Sequence, residues 1–114
     1  MPYIKATTSI KLDCDKKKQL KEEFGKLIET VPSKTEKWLM VAVEDEAYMA
    51  FAGKDDSPAL MIEVDLLGGA DRVVYDALTS VICKRMQELL GIDGERIYVK
   101  YKEFSVWGWN SINF

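Results

Sequence analysis

Trp38-Leu39-Met40-Val41-Ala42-Val43 is an unbroken apolar run in a chain of 114 residues of which 31% are charged. Six residues is strand length, and apolar residues at both parities are the pattern of a central strand covered on both faces. An acidic turn, Glu44-Asp45-Glu46, follows it, then a short predicted strand from Ala47 to Ala52 and a stretch of turn formers, Gly53-Lys54-Asp55-Asp56-Ser57-Pro58. Upstream, Ile4, Ala6, Thr8 and Ile10 alternate with Tyr3, Lys5, Thr7 and Ser9, the period of a half-buried strand. Between these strands Asp13 is placed to cap a helix. Its apolar residues Leu20, Phe24, Leu27, Ile28 and Val31 fall at helical spacing, and Pro32 stops the run.

The same order then recurs: a strand from Ala59 to Leu66, a Gly68-Gly69 break, a helix from about Ala70 to Leu90 closed by Gly91, and a strand around Arg96 to Lys102. The chain therefore reads as one domain over residues 1–114, made of two β-α-β pseudo-repeats at about 2–56 and 57–114. Right-handed crossovers put both helices on one face of a four-stranded sheet, an α/β architecture that some schemes class as α+β. The other face is left uncovered. Because residues 38–43 are apolar at both parities, that face is expected to be covered by other subunits rather than by solvent.

A net charge of -3 and a pI near 5.0 do not suit a binder of phosphate backbones, so no nucleic-acid partner is expected. Lys16, Lys17, Lys18 and Lys21 are interleaved with acids and read as the solvated face of the first helix. No apolar run approaches the roughly 18 residues of a membrane span. The opening Met1-Pro2-Tyr3-Ile4-Lys5 is unlike a secretory leader. The protein is expected in the cytoplasm, with any export by a route that needs no signal peptide. Cys14 and Cys83 form neither a Cys-x-x-Cys motif nor a disulfide framework. The chain has no histidine, so any proton transfer at neutral pH needs another base.

Several strings of this sequence together resemble the macrophage migration inhibitory factor family of the tautomerase superfamily, which includes D-dopachrome tautomerase. They are Met1-Pro2 opening directly into a strand, Lys34 ahead of the second strand, Met49-Ala50-Phe51-Ala52-Gly53, Glu95-Arg96-Ile97-Tyr98-Val99, and the tail Gly108-Trp109-Asn110-Ser111-Ile112-Asn113-Phe114. The resemblance spans essentially the whole chain. It implies a four-stranded mixed sheet with two helices on one face, and a homotrimer whose sheets form a central barrel. It also implies an active site at each subunit boundary and keto-enol tautomerase activity on phenylpyruvate-like or dopachrome-like substrates, small aromatic 2-oxo acids among them.

That chemistry needs a base poised near neutral pH and cationic or hydrogen-bonding groups for the enolate and the carboxylate. With no histidine, the candidate base is the secondary amine of Pro2, exposed on removal of Met1. Desolvation and a nearby cation such as Lys34 would disfavour its ammonium form. Read from the residues alone, Pro2 equally suits a strand start that needs no N–H. The resemblance assigns Lys34 to the substrate carboxylate, Tyr98 of a neighbouring subunit to the pocket wall, and the Leu66 backbone to a substrate contact. Trp38, Val106 and Trp109 are candidates for the pocket lining. No metal or organic cofactor is expected.

Two positions depart from the family pattern. Lys100, taken as a substrate-binding residue, stands where better-known members have an asparagine that hydrogen-bonds substrate, and it would add a second cation near Lys34. Asp65-Leu66-Leu67-Gly68-Gly69 replaces a common Ser-Ile-Gly, with Leu66 aligned to the Ile. The Cys-x-x-Cys of some vertebrate members is absent, since Pro58 and Met61 occupy its positions. An alternative of another class is a cytokine-like or host-modulating protein that binds a cell-surface receptor, with the pocket secondary. A third option is another proline-dependent reaction, such as decarboxylation or hydration of an unsaturated acid.

Overall fold

The computed structural model describes residues Met1–Phe114. Strands β1 (Pro2–Thr8), β2 (Met40–Glu44), β3 (Leu60–Leu67) and β4 (Ile97–Phe104) form one sheet in the order β2-β1-β3-β4. Helices α1 (Cys14–Leu27) and α2 (Arg72–Leu90) make the two crossovers. The pairs β1–β2 and β3–β4 are parallel, while β1 and β3, which join the halves, run antiparallel. The sheet is therefore mixed, with a β-α-β unit on each side of its centre.

Each element follows from its local chemistry. Asp13 caps α1 by accepting from the Lys16 N–H at 2.7 Å, and Gly91 ends α2 in the left-handed conformation that costs glycine least. In β1 and β3 the even-numbered side chains are buried and the odd-numbered ones are not. Ile4, Ile62, Val64 and Leu66 thus meet Leu20, Phe24, Leu78 and Ile82 from the helices in a single core. Ile97 joins that core and Val99 packs against it, leaving Tyr98 and Lys100 on the opposite face. Between the helices, Arg85 reaches Glu23 with two hydrogen bonds of 2.7 and 3.2 Å. No helix is long and apolar enough to cross a membrane.

The apolar run at residues 38–43 behaves differently from the expectation. Its strand begins at Met40 and lies at a sheet edge, not the centre. Trp38 belongs instead to a short 3-10 helix, Glu36–Trp38, which turns it away from the sheet. Val41 and Val43 pack toward the helices, whereas Met40 is two-thirds exposed at 68%. The helix-free face is also more polar than the run suggested. Across the strands its rows read Met40–Tyr3–Asp65–Lys102, Ala42–Lys5–Glu63–Lys100 and Glu44–Thr7–Met61–Tyr98. Opposite charges offset one another there, with Lys5–Glu44 at 3.4 Å and Lys100–Glu63 at 3.2 Å.

The predicted strand from Ala47 to Ala52 is absent. Glu46, at φ 54°, turns the chain, and the Glu46 and Ala47 N–H groups dock on the Ile10 and Thr8 carbonyls. Beyond them Phe51 and Lys54 exchange two backbone hydrogen bonds around Ala52 and Gly53, both at positive φ. Ala52 is strained there because its Cβ crowds the backbone, at a cost of about 1–2 kcal/mol. Ala52→Gly is expected to stabilise the protein by about 0.5–1 kcal/mol after the extra freedom of an unfolded glycine is subtracted. Thermal unfolding at matched protein concentration checks it, with a midpoint rise of about 2–4 °C.

Candidate active site

Three segments meet at the start of β1. Pro2 begins the strand, where its missing N–H leaves no gap in the ladder, and pairs with Leu66 of β3. The Leu67 N–H donates to the Met1 carbonyl at 3.1 Å, closing the ladder one step further. The turn after α1 brings in Lys34: Ser33 adopts a positive φ of 67°, and the Lys34 N–H donates to the Val31 carbonyl. The Lys34 ammonium then donates to the Leu67 carbonyl at 2.9 Å.

The electrostatics of this corner follow from burial and from that lysine. The Met1 amine is held below its ordinary range, first by burial, then by the positive charge of Lys34 and a hydrogen bond from its side chain. A cleft of about 820 Å³ opens beside it. Pro2 and Tyr3 of β1 form one wall and Lys37 and Trp38 of the 3-10 turn another. Val106 and Trp109 close the far side. Trp109 lies in a small hairpin, β5 (Gly108–Trp109) and β6 (Ile112–Asn113), whose turn holds Asn110 and Ser111 at positive φ. The Trp38 and Trp109 rings meet edge to face at 5.0 Å, and the Lys37 ammonium sits 5.2 Å above the Trp38 ring.

Pro2, Trp38, Val106 and Trp109 thus line one cleft at an end of the sheet, and Lys34 stands outside that lining, held on the Leu67 carbonyl near the Met1 amine. Leu66 does not line the cleft: its side chain is fully buried on the helix side, and the carbonyl that holds Lys34 belongs to Leu67. Tyr98 and Lys100 do not join them within one chain. Tyr98 pairs with Met61, five positions along β3 from Leu66, a separation of about 16 Å at strand rise. Lys100 pairs with Glu63, to which it is also salt-bridged, rather than standing beside Lys34. Sequence reasoning missed Lys37, Asp65 and Phe104 as cleft residues. Lys37 lies next to Trp38 in sequence, yet only the 3-10 turn aims both at the cleft.

Behind the site a polar clasp fixes the loop that follows Leu67. The Ala70 N–H donates to the Tyr75 hydroxyl at 3.1 Å and to Glu103 at 3.2 Å, and the Tyr75 hydroxyl donates to Glu103. A Cβ at Gly69 would overlap the Glu103 carboxylate, so a larger residue there would displace that side chain from the clasp. Burial, then the hydrogen bond to Glu103, pushes the Tyr75 phenol up to about 12.

The sequence model of the macrophage migration inhibitory factor family matches residues 1–113. The chain belongs to that family. It is similar to MIF2 of Leishmania major, at 30% identity and a TM-score of 0.91, over 100% of this chain and 97% of that one. It is similar also to the family homologue of Prochlorococcus marinus, at 25% identity and a TM-score of 0.80, over 98% of each chain. Pt0534, whose crystal structure is of the protein inactivated by 2-oxo-3-pentynoate, shares the fold at 24% identity and a TM-score of 0.79, over 90% of this chain and 85% of that one. A comparison with curated protein sequences gives no match. Membership supports a tautomerase or macrophage-migration-inhibitory-factor-like role in general.

The clasp around this family site is testable by alkaline titration. Glu103→Ala removes the acceptor and the charge that favour the neutral phenol, so Tyr75 should ionise below the wild-type value of about 12. It should stay above the ordinary 10, because burial is the larger cause. Ultraviolet difference titration, with Tyr75→Phe subtracted to isolate this tyrosine, reads the shift.

Proposed function

We propose that this protein is a homotrimeric keto-enol tautomerase of aromatic 2-oxo acids, with the Pro2 amine as general base once Met1 is removed. The observation that carries the reading is the terminal amine beside Lys34 at the mouth of an aromatic cleft, already held below its ordinary range. Removal of Met1 would move the amine one residue inward, to the buried Pro2, where burial and the Lys34 charge are the expected causes of a like downward shift.

In the keto-to-enol direction the neutral Pro2 amine takes a proton from the carbon next to the carbonyl. The C–H electron pair becomes the new C=C bond, and the carbonyl oxygen becomes an enolate that takes that proton from the Pro2 ammonium; in the enol-to-keto direction the neutral amine takes the hydroxyl proton and delivers it to the carbon as C=O re-forms. Lys34 binds the carboxylate and stabilises the charge developing on oxygen. No electrons leave the substrate, so the scheme needs no redox partner. Trp38 and Trp109 offer ring faces and edges to an aryl group.

The trimer supplies what one chain lacks. The outer edges of β2 and β4 are unpaired, and Tyr98 and Lys100 lie far from Pro2 of their own chain. Edge pairing between copies satisfies those backbone groups and brings Tyr98 and Lys100 of one subunit toward the Pro2 of the next. Light scattering should therefore give three times the mass of the chain.

The test is ultraviolet absorbance of hydroxyphenylpyruvate enol on protein whose measured mass shows loss of Met1. Pro2→Gly is expected to lower kcat/KM by about 10²- to 10⁴-fold, the range for a lost general base. Equal rates in both proteins would sink the amine-base reading. Because only the neutral amine accepts a proton, kcat/KM rises with pH through the amine pKa and then levels. Lys34→Ala removes a cause that lowers that pKa, so its rising limb should move to higher pH while KM increases.

A further inference from the structure

Arg96 is tied to an unusual set of partners. It begins no ion pair: all its side-chain hydrogen bonds go to backbone carbonyls of the segment between β2 and β3. The Nε–H donates to Pro58 at 2.8 Å, and the two terminal nitrogens donate to Phe51 at 3.3 Å, Lys54 at 3.1 Å and Ser57 at 3.1 Å. Phe51 and Lys54 are the two ends of the turn that holds Ala52 and Gly53 at positive φ. The guanidinium therefore bridges both ends of a strained turn, and it also lies over the Phe51 ring at 5.6 Å. A lysine, with one compact ammonium, cannot span four carbonyls or stack as a planar group.

The Phe51 ring in turn meets Tyr98 edge to face, at 5.0 Å and 73°. Tyr98 is 58% exposed on the helix-free face, and its hydroxyl has no hydrogen-bond partner in the chain, so Phe51 is the aromatic contact that orients its ring. Arg96 and Tyr98 are two residues apart across the start of β4, which couples the clamp to the strand that carries the tyrosine.

We infer that Arg96 is a positioning residue for catalysis: it locks the 51–58 turn, the turn fixes Phe51, and Phe51 sets the direction in which Tyr98 projects into the active site of a neighbouring subunit. This rests on the reading above, in which Tyr98 completes that site. A clamp of this kind acts at a distance from the reacting carbon and touches no substrate.

A double-mutant cycle in the processed trimer tests it. Arg96→Lys and, separately, Phe51→Leu are made in the wild type and in a Tyr98→Ala background, with thermal unfolding and light scattering to keep only folded trimers. Each is expected to lower kcat/KM for hydroxyphenylpyruvate enol by about tenfold in the wild type, short of the roughly hundredfold that a full ångström of misplacement can cost. In the Tyr98→Ala background each should cost less than about twofold, because the group they position is gone. Losses of equal size in both backgrounds, or no loss in the wild type, overturn the inference while leaving the function standing. If Tyr98→Ala alone costs nothing, the placement of Tyr98 falls and the inference with it; the Pro2→Gly comparison reports separately on the base.

Discussion

The antiparallel pairing of β1 with β3 is the contact on which the rest of the molecule depends. Each β-α-β half could form its own parallel pair, but only the seven-residue register from Pro2↔Leu66 to Thr8↔Leu60 joins them into one sheet. That register places every even-numbered side chain of both strands on the helix face, where a slip of one residue would turn the core outward. It also decides the chemistry. Because Pro2 is the last pair of the ladder, the chain's start is held against Leu67, and Lys34 can bridge from the turn after α1 to the Leu67 carbonyl.

At that corner environment, rather than residue type, sets the protonation of the chain's amine. Burial and then the neighbouring Lys34 charge disfavour the ammonium form, so an amine that is mostly protonated when free in water is shifted toward its neutral form here. The surrounding polar groups serve to keep the corner in place. Glu103 and Tyr75 hold Ala70, Gly69 leaves room for the Glu103 carboxylate, and the loop between them presents the Leu67 carbonyl. The Arg96 clamp plays the same part at the other end of β3, where it secures a turn whose backbone strain would otherwise loosen it.

In the proposed trimer, the two ends of the sheet carry different halves of the site. In a single chain this looks wasteful, since Tyr98 and Lys100 face away from Pro2 across about 16 and 10 Å of strand. A closed ring of copies resolves it, and the balanced charges of the helix-free face fit such an arrangement: Lys5, Glu44, Glu63 and Lys100 neutralise one another within the chain, so like faces can approach without strong repulsion. The pairing of Lys100 with Glu63 also tempers its effect as a second cation where better-known members carry an asparagine.

Much of this was legible in the sequence because it is local. Period-two alternation marked β1 and β3, helical spacing between Asp13 and Pro32 marked α1, Gly91 marked the end of α2, and the near-equal spacing of the halves showed the duplication. The family strings likewise pointed to Pro2 and Lys34 from residue identity alone. What the sequence could not decide were features set by contacts between distant segments. The run at 38–43 was apolar throughout, yet whether it lay at the centre or the edge depended on the β1–β3 junction, which no local pattern encodes. Trp38 left the strand because a 3-10 turn forms after Thr35, and the 47–52 segment lost its extended form to the left-handed turn at Glu46 and its docking on β1. Residue identity supplied the candidate base and its cation; only the tertiary fold brought Lys34 onto the Leu67 carbonyl and its charge near the chain's amine, because burial and charge proximity are properties of that packing.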